Sequence, residues 1–160
     1  MQKKTRNLVI ISLLLFVFLA GCVHRRPHRP HPGHTSPPPG HTVDERQPDL
    51  KISEFKLTPA TPVKGQPVHV RIGVYNRGNA RSGPFTVKWW PGENYPDPAC
   101  TWHIDKMNAR GGRILQCTYA GYPSWYSRIN TKVKADTGSS VNEKVENNNV
   151  RKKRIRVAKP

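Results

Sequence analysis

Few residue types in this 160-residue chain could do covalent chemistry, and their spacing argues against catalysis. There are three cysteines (Cys22, Cys100 and Cys117), seven histidines and ten carboxylates, against 27 lysines and arginines. No GxSxG, HExxH, P-loop or GxGxxG constellation occurs, so the expectation is a non-enzyme with no catalytic residues and no cofactor. Five histidines (His24, His28, His31, His34, His41) fall in one stretch, but irregularly and among prolines, so nothing there fixes a coordination geometry; a solvated spacer is expected, with weak metal affinity the alternative. His69 alternates onto the solvent side of an expected strand, and His103 sits close to Cys100. Carboxylates are outnumbered by bases, and no acid pair with a raised pKa is indicated.

The first segment decides what the cysteines do. Lys3, Lys4 and Arg6 form a positive head, and Leu8 to Ala20 is apolar except for Ser12. As a helix that run would rise about 20 Å, short of a ~30 Å hydrocarbon core, so it reads as a signal peptide rather than a span. Leu19-Ala20-Gly21-Cys22 resembles the lipobox of bacterial lipoproteins. That resemblance implies cleavage after residue 21 and acylation (palmitate or a similar chain) of Cys22, with stable anchoring by two or more acyl chains. With Cys22 lipidated, Cys100 and Cys117 remain as a disulfide pair in an oxidising compartment, the alternative being two buried free thiols. A turn at Asn108-Ala109 would make the pair a hairpin, with Cys100 opposite Cys117 and Trp102 opposite Leu115.

Composition then changes twice. Residues 22–48 hold seven prolines, five histidines and almost no large apolar side chain, and are read as a disordered, extended tether reaching up to roughly 80 Å. Residues 49–160 hold short alternating runs between Gly, Pro and Asn signals. Leu50 and Ile52, then after a slip Phe55 and Leu57, form the first strand. Val68, Val70, Ile72 and Val74 mark the second; Phe85, Val87 and Trp89 the third. Thr101 to Ile104, Arg113 to Tyr119, Ile129 to Ala135 and Val150 to Val157 complete seven. The expected fold is all-β, a seven-stranded antiparallel immunoglobulin-like sandwich.

Particular residues carry a family resemblance across Asp49 to Val157. They are Asp49-Leu50 opening the first strand, Pro62 and Gly65 before the second, and Val74-Tyr75-Asn76-Arg77-Gly78 at its end. After the sixth strand come Asp136, Val141-Asn142-Glu143 and Glu146-Asn147-Asn148. Together they resemble the CARDB domain (cell-adhesion-related domain found in bacteria), which implies an immunoglobulin-like sandwich. The insertion from Trp89 to Trp102 and the cysteine pair depart from that pattern. Asn76 and Gly78 suit a turn with positive φ. The loop acids and amides are expected to satisfy backbone groups; a Ca²⁺ site on Asp136, Glu143 and Glu146 is the alternative to no metal at all.

Two surfaces are candidates for binding. Tyr95, Tyr122, Trp125 and Tyr126 lie in two Pro- and Gly-rich loops, Pro91 to Ala99 and Ala120 to Ser127, that should meet at the end opposite Asp136 to Asn149. They could dock a glycan or protein, or simply cap the core. Lys132, Lys134, Lys152, Arg154 and Arg156 could form a stripe for anionic polymers, or a solvated edge. A formal charge of +17, or +14 without Lys3, Lys4 and Arg6, favours polyanion partners. Outside the cytoplasm those are envelope polymers, not nucleic acid. The expected function is a lipid-anchored binding or adhesion module for a surface glycan, anionic polymer or protein. The competing reading is a structural accessory subunit docked on another envelope protein. The expected location is the bacterial envelope, with Val23 after the cysteine favouring an outer membrane.

Overall fold

The computed structural model describes residues 46–160; Cys22, the signal segment and the tether histidines lie outside the described residues. Seven strands follow one another: β1 (Leu50–Thr58), β2 (Val68–Asn76), β3 (Phe85–Trp90), β4 (Cys100–Ile104), β5 (Gly112–Tyr119), β6 (Tyr126–Lys134) and β7 (Val150–Val157). They form two antiparallel sheets, one ordered β1-β2-β5 and the other β4-β3-β6-β7. Alternation decides which side chains meet between them. Val68, Val70, Ile72 and Val74 point inward from one sheet, and Phe85, Val87, Trp89 and Val133 from the other. Trp89 is fully buried, and its indole nitrogen donates 2.7 Å to the Thr131 hydroxyl, so the core's largest side chain leaves no polar atom unpaired.

The slip in β1 is a bulge at Ser53, where the register steps from Ile52↔Val74 to Glu54↔Gly73. It returns Phe55 and Leu57 to the core after Leu50 and Ile52. Gly73 is required opposite it: a Cβ there would stand 2.7 Å from the Ser53 hydroxyl and 3.2 Å from the Glu54 nitrogen.

The disulfide joins Cys100 to Cys117, with Cα atoms 6.5 Å apart, but not across a hairpin. β4 pairs with β3 and β5 with β2, so the bond links the edges of opposite sheets, and Trp102 faces Val87 instead of Leu115. The cause lies in the connection. Met107 is buried and is tied to Ser82 by two hydrogen bonds, which draws residues 105–111 across the end of the sandwich. Trp102 also reaches across that open side, its Nε1 donating to the Gln116 carbonyl at 3.3 Å.

Candidate functional site

The acidic and amide residues of the two motif halves meet at one end of the sandwich, where β1 begins. Asn76 is fully buried. Its oxygen accepts from the Asp49 and Gly78 nitrogens at 2.9 and 3.0 Å, and its amide donates to the carbonyls of Ala80, Met107 and Asn108. Glu143 accepts the Leu50 N–H and the Asn149 amide; Asp136 accepts the Ser140 and Val141 N–H groups; Glu146 accepts the Glu143 N–H. Asp49 pairs with Arg77 and accepts from Asn148. Burial pushes the Glu143 carboxyl above its ordinary range, against the pull of the Leu50 N–H.

These oxygens therefore lock loops to β1. Among the described residues no group of three or more His, Cys, Asp or Glu side chains is placed to hold a metal. Gly78 does not have positive φ; it is glycine because a Cβ would meet the Gln47 carbonyl at 2.3 Å and the Asp49 nitrogen at 2.7 Å. Close approach of the incoming chain, not turn handedness, sets that residue.

At the other end the two aromatic loops do meet. The Tyr95 and Tyr126 hydroxyls share a hydrogen bond at 3.0 Å, and the Tyr122 hydroxyl donates to the Pro91 carbonyl. Tyr122, however, is fully buried, packed edge-on against Tyr119 and Tyr126. It caps the core and offers no platform, which corrects its place among the binding candidates. Gly121 (φ 133°) causes this: its backbone crowds Gln66, where a Cβ would fall 2.7 Å from a carbonyl oxygen, and the loop turns inward there. Tyr95 and Tyr126 are half-buried, and burial with their mutual bond raises the pKa of Tyr95. Trp125 alone of the four candidates stands open, 51% exposed.

The basic candidates converge on the outer face of the four-stranded sheet. Register places Lys132 opposite Lys152 on one side and Trp90 on the other; Lys134 lies between Lys88 and Val150, and Arg154 faces Asn130. Arg156 continues the exposed line along β7. The ammonium of Lys132 lies 4.5 Å over the Trp90 ring, and Lys152 binds Glu93 at 2.8 Å. That contact, followed by the Asn130 amide, holds the Glu93 carboxyl below its usual range. β3, β4, β6 and β7 contain no acidic residue at all. Lys88 and Glu93 were not expected here, nor was Trp90 on this face. The alternation of β3 puts Lys88 and Trp90 on its outer side, but only the β3–β6 pairing brings them beside Lys132 and Lys134.

Comparison with known proteins follows the same lines. The CARDB family model matches residues 47–153, from the chain entering β1 to the middle of β7. Among solved structures, the CARDB domain of a Pyrococcus furiosus protein, crystallised in complex with two metal ions, is 19% identical. The match covers 72% of this chain and 97% of that one, with a TM-score of 0.61. A domain of a protein described as a cell surface protein from Methanosarcina acetivorans is 21% identical, covering 69% and 92%, with a TM-score of 0.52. These likenesses fix the fold. No curated protein matches the sequence.

Proposed function

The chain belongs to the CARDB family, and we propose that it is a lipid-anchored, non-enzymatic binding module of the cell envelope whose basic sheet face engages an anionic surface polymer. CARDB is an adhesion-type, cell-surface-related family, which supports a binding role over catalysis. The observation that carries the reading is the charge segregation on one sheet. Four strands without a carboxylate set Lys88, Lys132, Lys134, Lys152, Arg154 and Arg156 on one solvent face. Like charges directly opposite, as at Lys132 and Lys152, cost stability in a sheet. A bound polyanion would relieve that cost.

The test is equilibrium binding of the full chain in detergent micelles to polyphosphate and to oligogalacturonate, with neutral dextran as control. Lys134→Glu with Arg154→Glu should weaken binding to both polyanions by about tenfold, and added salt should weaken it further. Lys56→Glu with Arg71→Glu, an equal charge change on the other sheet, should leave it within about twofold. Equal losses from both pairs of changes, or wild-type binding to dextran as tight as to the polyanions, would overturn the reading. So would a stoichiometric envelope protein as the only partner recovered, which favours the accessory-subunit alternative.

A further inference from the structure

At the end of β7 the basic face runs into a shallow groove of about 500 Å³ lined by Trp125, Ser127, Arg156, Val157, Ala158 and Lys159. Its chemistry differs from the rest of the face. Trp125 has half its surface open to solvent although the Lys159 ammonium lies 4.9 Å over the ring. Two cations, one hydroxyl and an exposed indole line the groove, and no carboxylate does.

We infer that this groove is a subsite for one carboxylated sugar residue of the anionic polymer, a uronic acid or a sugar acid of like shape. An indole offers a flat apolar surface for the C–H face of a sugar ring, which a phosphate chain lacks. A guanidinium is matched to a carboxylate by paired N–H donors, and an ammonium adds a second, less directional charge. Arg156 belongs to both regions. It lies two residues beyond Arg154 on the exposed side of β7, so a polymer held along that strand leads into the groove. The small-ligand sites of proteins have this composition, one apolar wall with a few convergent polar groups.

The inference rests on the polyanion reading above, and its test separates the two. Oligogalacturonate carries a sugar ring with each carboxylate; polyphosphate carries charge without a ring. Trp125→Ala in the full chain should weaken oligogalacturonate binding by about fivefold or more and leave polyphosphate binding within about twofold. Trp125→Phe, which keeps a flat ring, should recover most of the loss. Lys159→Gln should weaken oligogalacturonate more than its neutral, reduced analogue. Equal effects of Trp125→Ala on both polymers, or none on either, would overturn the sugar-acid subsite while leaving the basic face intact. Failure of the wild-type chain to bind either polymer would overturn both. Because Trp125 is exposed, its replacement leaves the core untouched, and an unchanged melting temperature is the control for folding.

Discussion

Removing the Cys100–Cys117 bond should lower the melting temperature by about 13 °C without changing the fold. The bond spans 17 residues of sequence. Chain-entropy arguments for a loop of that size give about 3 kcal/mol of stabilisation, by restricting the unfolded chain. About 115 described residues imply an unfolding entropy near 0.24 kcal/mol/K, which converts that figure to roughly 13 °C. Position adds to the argument. The bond joins edge strands of opposite sheets, where the Trp102 indole also donates to the Gln116 carbonyl at 3.3 Å from an exposed position. Calorimetry of wild type with and without reductant, beside Cys100→Ala/Cys117→Ala, separates cross-link from packing. Reduced wild type reports the cross-link alone, and any further loss in the double variant reports the missing sulfur atoms. A shift below about 3 °C on reduction, with both thiols shown free, would refute the entropic account.

Glu143 gives a pH-dependent prediction. Its raised carboxyl pKa favours folding most below the ordinary 4.5 and loses that contribution as pH rises through the folded-state value. Urea denaturation across that window should therefore show wild type losing stability relative to Glu143→Gln. The Gln variant can meet the Asn149 oxygen, which is buried without a partner, by a turn of the Asn149 amide. Glu143→Ala should cost about 2 kcal/mol at neutral pH, since it strands the buried Leu50 N–H; a cost below about 0.5 kcal/mol would show that the lock is dispensable. Under the proposed lipid anchoring, replacement of Cys22 by Ser should release the protein from membranes, because acyl chains would supply nearly all the affinity; retention after a high-salt wash would refute it.

Much of the architecture was legible because alternation reports burial directly. The run from Val68 to Val74 and the slip between Ile52 and Phe55 both appear in the sheet as written in the chain. Alternation says which face a side chain takes, but not which strand lies beside it. Periodicity therefore could not show that β4 and β5, read as a hairpin, sit in different sheets. The deciding residue is Met107, one apolar side chain in a polar loop, with no periodicity to announce its burial. Tyr122 and Trp125 show the same limit at the site. They lie three residues apart in one loop, and only the approach of Gly121 to Gln66 turns one inward and leaves the other out.

The division of labour between the two ends bears on what the domain is for. The family motif residues Asp49, Asn76, Glu143 and Asn148 are spent on one another, holding loops to the start of β1. This polar cluster is therefore structural here, and the fold would need it whatever the ligand. The basic face stands on different ground. Nothing in the sandwich requires that β3, β4, β6 and β7 exclude every carboxylate, and an ordinary soluble surface intersperses both signs. Lys132 and Lys152 directly oppose each other, one lying over the Trp90 ring and the other paired with Glu93. Four neighbouring strands free of carboxylate, with no packing reason to be so, are where a function is to be sought. The basic face leads along β7 from Val150, beside the lock, to the Trp125 groove at the far end.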